Sequence, residues 1–219
     1  TFISNIQMKV GLGSSAAITS ALLHALIQLH QIKISKADFY QLARLIESYQ
    51  HGKSSGMDIA ACNHHQAIIF KNHQVTEYPL ADNLPFRFIN TGMAQDSTGQ
   101  AIAHAAKNWK DNYLDAFKQV TNTMIKALSN QAIDQVHLAI RKNHRLLCAL
   151  GIVPEPIQAY VDTLESQGLS AKICGSGSST GSSAGLLLLF GLDENSPLVL
   201  PSTYHLEDFK ILNPYRLPH

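Results

Sequence analysis

Gly11-Leu12-Gly13-Ser14-Ser15-Ala16-Ala17 is the stretch on which the reading of this chain turns. It is a glycine-rich turn that runs directly into an apolar-periodic segment, with Ile18, Leu22, Ala25, Leu26 and Leu29 at helical spacing. Gly13, Ser14 and Ser15 therefore fall in the first turn of a helix with a buried stripe. The unpaired N–H groups of a helix start, together with its dipole, attract an anion. Glycines let a phosphate approach the backbone, and serine hydroxyls can donate to it or bind its metal. A serine-capped helix after a glycine turn has the same local sequence, so the rest of the chain must choose between them.

The 219 residues are 45% hydrophobic, enough for a real core in one or two domains. A formal net charge of +1 argues against a nucleic-acid binder with a basic surface. A single Trp argues against a base-stacking platform. The eleven histidines are scattered, and only His64-His65 are adjacent. Cys62, Cys148 and Cys174 form no C-x-x-C pair, which predicts a reduced, cytoplasmic protein without a zinc site. The longest apolar run, Ala184 to Leu192, is too short to cross a bilayer.

Outward from the glycine turn, Thr1 to Ile6 reads as the end of a strand. Ser35, with Asp38 three residues on, signals the N-cap of a second helix with Phe39, Leu42, Ala43, Ile46 and Tyr49 as its stripe. After Gly52-Lys53-Ser54-Ser55-Gly56, Met57 to Cys62 reads as a helix start, Ala67 to Phe70 as a strand and Val75 to Tyr78 as a weak one. Pro79 to Pro85 is the best boundary, giving domains 1–80 and 81–219. Beyond it come a strand at Phe86–Asn90 and helical stretches at about Gly99–Leu128, Ala132–Leu150 and Glu155–Gln167. Strands at Ala171–Cys174 and Leu186–Phe190 flank a Gly/Ser loop, and Asp208–Leu212 is a candidate final strand. Alternating strands and helices make the class mixed α and β.

Three further segments bear on chemistry. Glu47-x-x-x-His51-Gly52-x-x-Ser55-Gly56-x-Asp58 places one carboxylate late on a helix and another at the start of the next. Glu47 borders the apolar stripe without lying inside the core. Phosphoryl transfer to an alcohol needs a metal to neutralise phosphate and a carboxylate near the attacking hydroxyl, and this pair suffices. Taken alone, Asp58 reads first as a helix cap and Glu47 as a solvated residue. Lys172 to Gly181, wedged between two apolar strands, suggests backbone approaching a ligand rather than a flexible linker. Asn90 to Thr98 offers small hydroxyl residues at a strand end, which are also ordinary turn and N-cap residues.

These four segments follow one another in the order seen in the GHMP kinases, which the chain resembles from near residue 4 to near residue 190. Gly11 to Ala17 is similar to their phosphate loop. Glu47 to Asp58 resembles the mevalonate-kinase form of the central motif, and Ala171 to Gly177 the start of the third. Asn143 to Ile152 resembles the helix that precedes the third motif. The resemblance implies two α/β (α+β) domains, the second ferredoxin-like, with a site in the cleft between them. It implies ATP and Mg²⁺, a small-molecule alcohol as substrate, and a place in isoprenoid biosynthesis. Members often form dimers, so a homodimer is an implied assembly.

The implied roles run residue by residue. Gly11, Leu12, Gly13, Ser14, Ser15 and Ala16 wrap the ATP phosphates, and Ser15 with Glu47 holds Mg²⁺. Asp58 is the base beside the acceptor hydroxyl. His51, Ser55, Thr98, Gly175 and Gly177 lie on the substrate side. Several positions depart from the family pattern. The opening strands with their lysine are missing, and Gln7 replaces a proline. The third motif is serine-rich, with Cys174, Ser176, Ser178, Ser179 and Thr180 at unusual places. His65-Gln66 replaces a Gly-Gly, and Asp96 stands where mevalonate kinases tend to carry a basic residue. A non-catalytic ligand-binding domain and a diphosphomevalonate-decarboxylase-like enzyme are the alternatives.

Overall fold

The computed structural model describes residues 11–51, 54–64, 66–80, 84–193 and 197–207, with the side chains of Gln50 and His51 excluded. The expected strands at Thr1–Ile6 and Asp208–Leu212, and the positions Gln7, Gly52, Lys53 and His65, lie outside the described residues.

The chain divides into two compact units. The first holds α1 (Ser14–Leu29), α2 (Lys36–His51), α3 (Met57–Cys62) and a hairpin of β1 (Ala67–Lys71) and β2 (Gln74–Tyr78). The hairpin is antiparallel, with Ala67 opposite Tyr78 and Lys71 opposite Gln74. α2 starts as its capping signal predicts: the Asp38 amide donates to Ser35 Oγ at 3.1 Å, and Ser35 Oγ donates to Asp38 Oδ2 at 2.6 Å. The core is small, built from Ala16, Leu23, Phe39, Ala43 and Ile59.

The expected stripe of α1 is not the face that this unit buries. Ala16, Thr19, Ser20 and Leu23 are buried, whereas Leu22 (44% exposed), Leu26 (52%) and Leu29 (74%) are not. In α2, Phe39 and Ala43 are buried as expected, but Leu42, Ile46 and Tyr49 are exposed. Both helices carry apolar residues on more than one face. Periodicity finds such faces but does not say which one has a packing partner. Here the buried face of α1 carries Ala16 and Leu23, packed with Phe39, Ala43 and Ile59.

The second unit takes Gly11 and Leu12 together with the elements beyond β2. These are β3 (Phe86–Asn90), α4 (Thr98–Lys107), α5 (Tyr113–Ser129), α6 (Ile133–Ala149), α7 (Glu155–Ser166), β4 (Ser170–Ile173), β5 (Leu186–Phe190) and β6 (His205–Glu207). The single helical stretch expected at Gly99–Leu128 is two helices. Asn108-Trp109-Lys110-Asp111-Asn112 breaks it with turn-forming residues, and Asn108 Nδ2 donates to the Leu150 carbonyl at 3.0 Å instead of continuing the helix.

The four strands form one antiparallel sheet in the order β4-β5-β3-β6, with Ile89 opposite Leu187 and Ala171 opposite Leu189. Alternation along the strands splits the core. Ala171, Ile173, Leu187 and Leu189 join Ile157, Val161 and Leu164 of α7. Phe190 joins Val136 and Ile140 of α6 and Ala127 of α5. Ser170 is polar on that second side and fully buried. It accepts from Arg141 Nε at 2.8 Å and pairs with His137 Nδ1 at 2.9 Å, which removes the cost of burying its hydroxyl. No helix among the described residues is long and apolar enough to cross a membrane.

Candidate active site

Gly13 is the N-cap of α1, in the left-handed region at φ 66°, and no side chain caps the helix. The first intrahelical bond runs from the Ala17 amide to the Gly13 carbonyl at 3.0 Å. Helix geometry gives the N–H groups of a first turn no intrahelical partner. The serine-cap alternative does not hold: Ser14 and Ser15 lie within the helix.

Glu47 differs from its sequence reading. It is only 6% exposed, inside the unit rather than at its border or in solvent. Its Oε1 accepts from Ser15 Oγ at 2.6 Å and from Thr19 Oγ1 at 3.2 Å. A buried carboxylate is costly unless it is bonded or bound to a cation. Here two hydroxyls one helical turn apart on α1 meet it. Thr19 escaped the sequence reading, although its position four residues after Ser15 puts both on one face of α1. Glu47 Oε2 makes no hydrogen bond among the described residues.

Asp58 lies in the first turn of α3, whose N-cap is Gly56, so the aspartate is not the cap. A Cβ placed on Gly13 would sit 3.7 Å from Asp58 Cβ, which brings the glycine turn and the start of α3 into van der Waals range. Cys62 Sγ lies 4.0 Å from the Gly13 carbonyl. Burial pushes the Cys62 thiol pKa up, and the charges of Asp58 and Glu47 push the same way, so both carboxylates act on one small region. The first unit thus gathers Gly13, Ser15, Glu47 and Asp58 from three helices.

The other expected residues are placed as follows. Leu12 is 45% exposed, and Ala16 is fully buried. Ser55 is exposed and its hydroxyl accepts from the Met57 amide at 3.2 Å. The side chain of His51 lies outside the described residues. Thr98 opens α4 and is exposed; the residue before it, Ser97, forms a full capping box with Gln100. Gly175 packs on Gly11 so tightly that a Cβ on Gly11 would lie 2.7 Å from the Gly175 amide nitrogen, and Gly11 has φ 91°. Both positions therefore require glycine.

Asn90 to Asp96 proves more informative than its sequence suggested. It runs beside the Gly/Ser loop: Thr91 Oγ1 donates to the Gly185 carbonyl at 2.7 Å, the Ala184 amide donates to Thr91 Oγ1, and Ser183 Oγ donates to the Met93 carbonyl at 2.6 Å. Asp96 Oδ2 accepts from the Ser179 amide and hydroxyl at 2.6 and 2.7 Å. Those bonds, the amide first, hold the Asp96 carboxyl below the usual carboxylate range.

The first unit thus sets an uncapped helix start beside two carboxylates. The models of the GHMP kinases N terminal domain and of the GHMP kinases C terminal match residues 1–66 and 124–182, together more than half of the chain. The chain belongs to the GHMP kinase family. Among its relatives, the mevalonate kinase of Archaeoglobus fulgidus is 28% identical over 179 residues, covering 80% of this chain and 60% of the relative. The crystal structure of the Methanococcus jannaschii mevalonate kinase superposes with a TM-score of 0.70 at 23% identity, covering 86% of this chain and 59% of that one. A Streptococcus pneumoniae phosphomevalonate kinase, solved with phosphomevalonate and AMPPNP, gives 0.67 at 15% identity, with 83% and 61% covered. The chain spans less than two thirds of each of these proteins.

Proposed function

We propose that this chain transfers the γ-phosphoryl group of ATP to the hydroxyl of a small alcohol, as a mevalonate-kinase-like phosphotransferase. The observation that carries the reading is the buried Glu47 bonded to Ser15 at 2.6 Å, on the helix that follows the glycine turn. Gly11 to Ala16 take the phosphates through backbone N–H groups and the two serine hydroxyls. Asp58 accepts the proton of the acceptor hydroxyl as its oxygen bonds to the γ-phosphorus and the bond to the ADP oxygen breaks. His51, Ser55, Thr98, Gly175 and Gly177 serve the substrate side, and the chain divides functionally into 1–80 and 81–219.

The donor set suits Mg²⁺. Glu47 and Ser15 supply oxygen atoms, and Glu47 Oε2 is without a hydrogen bond among the described residues. No group of three His, Cys, Asp or Glu among the described residues is placed to hold a metal. Mg²⁺ is usually held by one or two protein oxygens and completed by phosphates and water. When bound, the ion neutralises phosphate charge. The three free cysteines suit a cytoplasmic protein, and a homodimer is the assembly we assign it.

ATP turnover by this chain with mevalonate, phosphomevalonate and sugar acceptors tests the reading. Asp58→Ala is expected to lower turnover by roughly a hundredfold or more, and full activity in that variant would sink the mechanism. ATP binding without turnover would instead support a non-catalytic domain, and carbon dioxide release from a diphosphorylated substrate a decarboxylase.

A further inference from the structure

Building on the phosphotransferase reading, we propose that Asp96 is a positioning residue. Its carboxylate fastens the turn through Ser178 and Ser179, and thereby sets the backbone of Gly175 against Gly11 of the phosphate loop.

Cys174-Gly175-Ser176-Gly177-Ser178-Ser179-Thr180-Gly181 has the composition of a loop with many conformations. In the structure it is tied down from both sides. On one side, the Ser178 amide donates to the Ile152 carbonyl at 2.9 Å. Gly177, at φ 72°, sits so close to that carbonyl that any Cβ would collide with it. On the other side, Asp96 makes three bonds. Its amide donates to Ser178 Oγ at 3.2 Å, and its Oδ2 accepts both Ser179 donors. Ser178 is fully buried, and its hydroxyl closes the turn by donating to the Thr180 carbonyl at 2.9 Å.

Asp96 contributes the one charged group in these bonds. Hydrogen bonds to an ionised acceptor are roughly twice as strong as neutral ones. Asp96 is itself held, because the next residue, Ser97, caps α4 with a reciprocal Ser97–Gln100 box. A rigid line therefore runs from the start of α4 through Asp96 to Ser179, along the turn to Gly175, and onto Gly11. Gly11 and Gly175 are in backbone contact, so a displacement of this turn moves the groups that meet the phosphates. Groups aimed in advance at the transferring phosphoryl act chiefly on its transition state. Loss of the clamp should therefore appear in kcat more than in KM.

The test compares the wild-type chain with Asp96→Ala, Asp96→Asn and Ser179→Ala in ATP turnover, thermal melting and amide hydrogen exchange. Asp96→Ala is expected to lower kcat roughly ten- to a hundredfold, with the KM for ATP moving less than about threefold. The melting temperature should fall by no more than about 4 °C, while exchange at the Ser179 amide speeds up. Asp96→Asn keeps an uncharged acceptor and recovers part of kcat. Ser179→Ala removes one donor of two and loses less than Asp96→Ala. An unchanged kcat in Asp96→Ala, or Ser179 exchange no faster than in wild type, overturns the proposal. So does a kcat loss that follows the folded fraction and is not partly restored by Asp96→Asn. A wild-type chain without ATP turnover overturns the phosphotransferase reading and the role with it. That failure is told apart from failure of the clamp by the exchange rates, which need no activity.

Discussion

Two loops of this molecule have nearly the same composition and opposite physics. Gly11 to Ala17 and Cys174 to Gly181 are both runs of glycine and serine. The first leads into a helix start that no side chain caps. The second is bonded to the protein through Ser178, on Ile152 and Thr180, and through Ser179, twice on Asp96. An open row of N–H groups binds an anion, whereas a satisfied one holds a shape. Composition alone does not separate the two. What separates them is where each stands: one leads into a helix, and the other is tied to Ile152 and Asp96.

The sharpest way to break this comparison is at the carboxylate beside the first loop. Glu47→Gln keeps the size of the side chain but removes its charge. It is expected to reduce ATP turnover by about a hundredfold or more, read as kcat/KM at saturating Mg²⁺. Near-normal turnover in this variant would make the buried carboxylate structural. Next comes the second loop. Gly177→Ala forces a Cβ into the Ile152 carbonyl at φ 72° and should cost about 2–3 kcal/mol in denaturant unfolding. The same change at Gly13, whose nearest neighbour would be 3.7 Å away, should cost only about 1 kcal/mol. Equal losses would show that the loops are not held differently.

A smaller effect is expected at Thr19→Val. This removes one of the two hydroxyls on Glu47 and should lower turnover about tenfold; steady-state kinetics checks it. Acid titration should give the weakest signal. The depressed pKa of Asp96 means that the carboxylate contributes stability above its ordinary value of 3.8. That contribution is lost as pH falls below 3.8 and through the folded-state value. Unfolding measured across this range should show the loss in wild type and not in Asp96→Asn.

Much of this was legible from local chemistry. The start of α1 follows from glycine beside an apolar period, and α2 begins at Ser35 because a hydroxyl and an acid three residues apart cap a helix. The continuous apolar run Leu186–Phe190 belongs to a strand covered on both faces. Ser15 came from the glycine turn and Glu47 and Asp58 from a separate segment, and the fold brings Ser15 Oγ within 2.6 Å of Glu47. Thr19 was hidden inside the helix pattern, where threonine is unremarkable. The division between α4 and α5 was missed because apolar spacing continues across the polar break at 108–112.

The sequence by itself determined most of the helices and strands, and it offered candidate residues for handling phosphate. It did so because turns, caps and periodicity act over a few residues. Only the tertiary structure decided that Glu47 is buried, that α1 packs on the face of Ala16 and Leu23, that the sheet runs β4-β5-β3-β6, and that Asp96 holds Ser179 from 83 residues away. Those outcomes depend on which of several faces or donors finds a partner. That choice is settled by packing between elements distant in the chain, where local patterns carry no information.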